Sequence, residues 1–316
     1  MPFRGSGPVL TRPVFLVLVA GLCGVSAICQ DGPAVNIVPR IRPQQDSSTR
    51  DSNFRSDVKM VLVPASVMDR GDRPVLDLRK EDFHLYQDTI EQTIEVLSTD
   101  QAPISVGIVF DASGSMNNKL DKSFKAVDRF LKSTLPGDEF FLIQFNDAPE
   151  LRVPFTPDQD QIMSNLTSVR PQGWTAMLDA ISLAVHRMKS AKNSRKVLLV
   201  LSDGGDNNSR YTDGEVIGLL READVQVYAI GLLDNPSFLK KATEVTGGSM
   251  VVVHNTNDLP AAIDKLSSAL RNQYVIGYYP TQGQNDGKYH KLKVQVLQKV
   301  GEGLHISWRR GFYSPN

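Results

Sequence analysis

Cysteine is almost missing from this sequence: two occur, at positions 23 and 29, and none follows Cys29. That excludes a disulfide framework, a cysteine-based zinc site and a thiol catalyst from everything further along the chain. Histidine is scarce as well. The five present, His84, His186, His254, His290 and His305, fall on unrelated segments without ligand-like spacing, so they read as surface or packing residues. Excess charge of either sign is absent, with 35 Lys plus Arg against 35 Asp plus Glu. No net field therefore draws the chain to nucleic acid or to an anionic membrane. The short signatures of phosphate cradles and serine hydrolases are also missing: neither Gly-x-Gly-x-x-Gly, Gly-x-x-x-x-Gly-Lys nor Gly-x-Ser-x-Gly occurs. Without such an elbow or a base near its serines, the sequence predicts a protein that is not an enzyme.

Long apolar runs are missing too, with one exception. Val14 to Leu22 is apolar, Arg4 and Arg12 precede it, and small residues close it at Val25-Ser26-Ala27. This layout predicts a signal peptide over residues 1–27, because the run is shorter than the roughly 20 residues that span a bilayer. The expectation is export to the periplasm or beyond, with no membrane insertion after cleavage. Leu22 and Ile28 stand where a lipoprotein signal has a small residue, so no lipid anchor is expected. Residues 28–55 are rich in Pro, Gln, Asp, Ser and Arg and show no apolar period, which predicts a disordered linker.

What is present falls into two patterns. Short alternating runs such as Phe83-His84-Leu85-Tyr86 and Lys291-Leu292-Lys293-Val294 occur over residues 56–102 and again over 272–316. They predict strands with one wet face, and the two ends together predict one discontinuous antiparallel β-sandwich. Between them, over 103–271, nearly continuous apolar strands such as Ile104 to Phe110 and Val197 to Leu201 alternate with helical periodicity, as in Leu178, Ile181, Ala184, Val185 and Met188. That succession predicts an α/β, doubly wound, Rossmann-like domain inserted into the sandwich.

Chemistry concentrates where two of these strands end. Asp111-Ala112-Ser113-Gly114-Ser115 follows the first strand, and Ser202-Asp203-Gly204-Gly205-Asp206-Asn207 follows the strand ending at Leu201. In the common doubly wound order the first and fourth strands are neighbours, and ligands bind in the crevice beyond their carboxyl ends. Asp111 and Asp203 then converge, and two facing carboxylates need a shared proton or a cation between them. Ser113, Ser115 and Thr175 offer hydroxyl oxygens beside them. An all-oxygen set suits a hard cation, Mg²⁺ first, then Mn²⁺ or Ca²⁺. Asp206, Asn207 and Asn208 are expected to shape the turn, and Trp174 and Tyr211 either to rim the site or to pack its loops.

Asp111-x-Ser113-x-Ser115 with a separate Thr175 and a strand-ending Asp203 resembles the metal-ion-dependent adhesion site of von Willebrand factor type A domains. The resemblance spans about 103 to 271. It implies one coordination position left for an acidic side chain of a partner protein, hence a secreted adhesion or interaction module. The alternative is an envelope or surface-appendage component in which metal only stabilises the domain. Lys80-Glu81-Asp82-Phe83 and Arg309-Arg310-Gly311-Phe312-Tyr313 are similar to a bacterial secreted subfamily carrying this domain. Resemblance to integrin-type domains further implies that the last helix, near Leu259 to Leu270, could relay a change at the site to the sandwich.

Overall fold

The computed structural model describes residues 59–100, 102–232, 236–282, 285–297 and 303–315. The expected signal peptide and linker lie outside the described residues. Residues 55–316 form one compact unit.

Period-two burial builds the flanking strands. In β1 (Val61–Met68) the side chains of Val63, Ala65 and Val67 are fully buried; in β2 (Phe83–Gln87) Phe83, Leu85 and Gln87 turn inward. β3 (Ile90–Gln92) completes a hairpin with β2, and β4 (Ile94–Asp100) leads towards the central part.

The central strands are different. β5 (Ile104–Asp111) is buried at every position, as expected of a strand covered on both faces. Then come α1 (Leu120–Lys132), β6 (Glu139–Phe145), β7 (Pro149–Thr156), α2 (Gln159–Thr167), α3 (Met177–Met188), β8 (Arg195–Ser202), α4 (Asp213–Glu222), β9 (Gln226–Leu232), α5 (Ser237–Thr246), β10 (Met250–Val253) and α6 (Leu259–Arg271). The sheet order is β10-β9-β8-β5-β6-β7. Strand β5 thus sits between β6 and β8, parallel to both, with Phe110 opposite Leu201. β7 alone runs antiparallel. Its connection from Phe145 to Pro149 is too short for the crossover that a parallel strand needs. Helices α1, α2 and α6 cover one face through Val127, Phe130, Ile162, Ile263 and Leu266. Helices α3, α4 and α5 cover the other through Ile181, Val185, Ile217 and Leu239.

Only Asn272 separates α6 from β11 (Gln273–Tyr278), and β12 (Tyr289–Val296), β13 (His305–Trp308) and β14 (Gly311–Tyr313) follow. They complete two antiparallel sheets, β13-β1-β11-β4 and β14-β12-β2-β3. The inward faces share a core of Val63, Phe83, Leu85, Tyr274, Ile276, Leu292 and Val294, in which the Phe83 and Tyr274 rings meet edge-on at 5.2 Å.

The sandwich and the α/β part are tied at the sheet's amino-terminal edge. Gln273 Nε2 donates to the Tyr228 hydroxyl at 2.8 Å, Arg195 donates to Gln273 Oε1 at 3.1 Å, and Arg310 N donates to the Val245 carbonyl at 3.1 Å. α5 ends on Gly247 with φ +76°, and a Cβ there would lie 2.2 Å from the Arg309 amide nitrogen. Glycine is required for both reasons.

Candidate metal centre

Strand β5 delivers Asp111, and β8 delivers Ser202 and Asp203, to the same end of the sheet because their parallel registers match across the pair. Beyond Asp111 the chain turns through a single 3-10 turn, Gly114–Met116, before α1 begins. This turn folds the two serines back over the strand end. Asp111 Oδ1 accepts from the Ser113 amide at 2.8 Å, and Asp111 Oδ2 accepts from the Ser202 hydroxyl at 2.6 Å. Ser113 Oγ lies 3.0 Å from Ser115 Oγ, and Ser115 Oγ donates to Asp203 Oδ1 at 2.8 Å. Four of the five candidate ligands are therefore joined by consecutive hydrogen bonds across two strands, the first through the Ser113 amide and the rest between oxygen atoms.

Thr175 reaches the site by its loop. Gln172 N donates to the Ala112 carbonyl at 2.9 Å and Gly114 N to the Gly173 carbonyl at 3.1 Å, which lays the two loops side by side. Gly173 has φ +73°, and a Cβ on it would lie within 2.6 Å of the Asp147 carboxylate. That carboxylate accepts from Trp174 N at 2.7 Å. From the other side the Asp203 loop grips Thr175: Asn207 Oδ1 accepts from Thr175 N at 2.8 Å, and Asn207 N and Asn208 N donate to its carbonyl at 3.0 and 3.3 Å. The Thr175 hydroxyl has no bond to the other four candidates among the described contacts. Asp206 Oδ1 accepts from Leu178 N at 3.1 Å, while Ser209 Oγ accepts from Asp179 N at 3.0 Å. Asp206 and Asn207 thus bind backbone and shape the loops.

Burial sets the electrostatics. Asp111 is fully buried, Ser113 and Thr175 are buried, and the Asp203 side chain is 1 % exposed, whereas Ser115 and Gly205 open to solvent. Desolvation pushes the Asp111 carboxyl above its ordinary range, hydrogen bonds from Ser113 and Ser202 pull it down, and the neighbouring Asp203 charge pushes it up again. Two residues here escaped the sequence reading. Ser202 caps Asp111 from the neighbouring strand, and the Lys119 ammonium forms an ion pair with Asp203 Oδ2. Local spacing gives no signal for Lys119, which stands at the N-cap of α1, beyond the 3-10 turn that holds Ser115.

Among the described residues no group of three or more His, Cys, Asp or Glu side chains gathers. The donor set is two carboxylates plus hydroxyls, all oxygen, and fits a hard, water-retaining cation. His84, His186 and His290 bond Glu91, the Ser182 carbonyl and the Asp88/Asp286 pair, none of them at this end of the sheet. Trp174 is 64 % exposed and Tyr211 is 37 % exposed.

Residues 106–205 match the family described as von Willebrand factor type A domain, a span that includes all five candidate ligands. A Catenulispora acidiphila structure described as von Willebrand factor type A is similar at 12 % identity, covering 83 % of this chain and 75 % of that one, with a TM-score of 0.50. Proximal thread matrix protein 1 of the mussel byssus, in a structure with a zinc-occupied metal-ion-dependent adhesion site, shares 23 % identity over 58 % of this chain and 49 % of its own, with a TM-score of 0.47. An uncharacterized protein of Borreliella burgdorferi is 26 % identical over 147 residues, 43 % of each chain, so the match spans under half of that relative. The structural likenesses concern the fold alone. The α/β part of this chain has the fold of a von Willebrand factor type A domain. Such domains are in general non-enzymatic interaction modules and often bind a divalent metal.

Proposed function

We propose that this type A domain binds a divalent cation, Mg²⁺ first with Mn²⁺ or Ca²⁺ as alternatives, through Asp111, Ser113, Ser115, Thr175 and Asp203, and through it engages an exposed Asp or Glu of a partner protein. The observation that carries the reading is the hydrogen-bonded run from Asp111 through Ser113 and Ser115 to Asp203, whose side-chain donors are all oxygen, buried at its floor and open at Ser115. Two carboxylates held this close in a desolvated crevice repel unless a positive charge joins them. The bound cation would supply that charge and a coordination position for a carboxylate oxygen from outside. Exposed Trp174, on the loop beside Thr175, adds the kind of aromatic surface that dominates binding energetics. We further read the leader as a signal for export and the flanking sandwich as that of a bacterial secreted subfamily.

Calorimetric titration with Mg²⁺ tests the metal assignment. The wild type is expected to bind, and Asp111→Ala to lose binding by at least about tenfold, since the variant removes a charged donor from the floor of the site. Equal affinity for both proteins sinks the assignment. One observation favours a second reading, an assembly protein in which metal only stabilises the fold: Asp203 already has a cationic partner in Lys119. Capture from an envelope extract with and without chelator separates the two, because a partner retained in chelator favours assembly.

A further inference from the structure

The Lys119 side chain is 15 % exposed, and its ammonium is directed at a carboxylate that is 1 % exposed. Nothing about lysine favours that position on its own: an ammonium is strongly hydrated, and holding it against a desolvated partner costs solvation that only the ion pair offsets. The pair is moreover placed on the ligand set itself. Asp203 Oδ1 takes the Ser115 hydroxyl and Oδ2 takes Lys119, so the two oxygens of one carboxylate are shared between a candidate ligand and a fixed cation. Lys119 has no slack on its own element, because its amide is tied to the Met116 carbonyl at 2.8 Å and its carbonyl accepts from Ser123 N at 3.0 Å. Only its side chain can leave.

From this geometry we propose that Lys119 is a tethered counter-cation of the metal centre, which competes with the divalent ion for Asp203 and thereby sets the site's affinity. The proposal rests on the metal-binding reading given above. Before a metal arrives, Lys119 neutralises one carboxylate and keeps the crevice from holding two unpaired negative charges. When a divalent ion takes Asp203, the ammonium must swing out. Its stem starts one residue before α1, next to the exposed Asn117 and Asn118, so the released charge comes to the rim. A positive charge at the rim beside a bound cation favours an acidic partner further. Occupation by metal and the charge of the docking face are then linked through a single side chain.

Two variants and one probe decide the matter. Mg²⁺ alone is titrated calorimetrically into wild type, Lys119→Met and Lys119→Gln, and thermal unfolding of each is followed in chelator and in saturating Mg²⁺. Both variants are expected to bind Mg²⁺ about tenfold more tightly or better, because the metal no longer displaces a charge-assisted hydrogen bond. They are also expected to melt lower than wild type in chelator, since Asp203 is left buried without its cation, and to regain more on adding Mg²⁺. Tighter binding joined to lower metal-free stability is a combination that a merely structural lysine does not give. Unchanged or weaker Mg²⁺ affinity in both variants, with binding kept by wild type, overturns the competition and leaves the metal site standing. Failure of all three proteins to bind Mg²⁺ overturns both.

Discussion

Helix α3 begins just after Thr175, yet its own sequence supplies no cap: Ala176 stands at the N-cap position, without a side-chain hydrogen bond. The free amides of its first turn are answered from about thirty residues away. Asp206 Oδ1 takes Leu178 N at 3.1 Å, and Ser209 Oγ takes Asp179 N at 3.0 Å, while Ser209 itself donates to Asp206 Oδ1 at 2.5 Å. Replacing Asp206 by alanine removes one cap, worth about 1 kcal/mol in ordinary helices. It also leaves the Ser209 hydroxyl without its acceptor, which costs about a further 1 kcal/mol. The sum, about 2 kcal/mol, lowers the melting temperature of a unit this size by roughly 4–8 °C. Circular dichroism melts in chelator measure this without any metal contribution. Asp206→Asn keeps one carbonyl acceptor and is expected to lose about half as much. Because the same loop holds Thr175 through Asn207, Asp206→Ala is also expected to weaken Mg²⁺ binding. A variant within about 0.5 kcal/mol of wild type, the ordinary range for an unremarkable surface change, would refute capping across the loops.

Two further perturbations probe the sandwich and its attachment. His290, whose side chain is 9 % exposed, lies between Asp88 at 2.9 Å and Asp286 at 3.1 Å. Desolvation lowers its pKa, but hydrogen bonds to Asp88 and Asp286 outweigh this and raise it above the usual histidine value, while both aspartates are lowered. A raised folded-state histidine gives stability that is complete below about pH 6.5 and is lost as pH rises through the folded pKa. The loss is expected to be small, since both carboxylates keep access to water. Urea unfolding of wild type at pH 6 and pH 8.5 should therefore differ, and His290→Gln should flatten that difference; an equally steep profile in the variant counts against the cluster. Gly247→Ala combines φ +76° with a Cβ lying 2.2 Å from the Arg309 nitrogen, backbone that cannot swing aside. It is expected to cost at least about 2 kcal/mol, and a melting curve matching wild type would argue against so close an approach of α5 and the Trp308–Arg310 segment.

The sequence disclosed most where local pattern and structure agree. Burial of β5 throughout and of β8 from Val197 onward shows as nearly continuous apolar runs, and the wet-face alternation of β2 and β12 shows as period two. Two helices were not read from it. α2 carries little apolar surface, with Ile162 and Leu166 buried, although Asp158 marks its start by accepting from Asp160 N and Gln161 N. α5 buries Phe238, Leu239 and Ala242 within ten residues, too few turns for a helical period to stand out.

At the candidate site the division is sharper, and it follows the reach of each interaction. Asp111, Ser113 and Ser115 sit within five residues, so their convergence is a property of one turn and is visible as spacing. Asp203 joins them because two parallel strands are adjacent, a consequence of the sheet order, which the alternation of strands and helices predicts. Lys119 and Ser202 belong to neither rule. Each is an ordinary residue by type, and its contact with an aspartate depends on a side-chain direction fixed only once the turn at Gly114 and the end of β8 are both in place. These two side chains, one adding a hydroxyl to Asp111 and the other a charge to Asp203, decide how strongly the two carboxylates need an external cation. The candidate ligands were therefore legible as a motif, whereas their availability depends on neighbours that the motif does not contain.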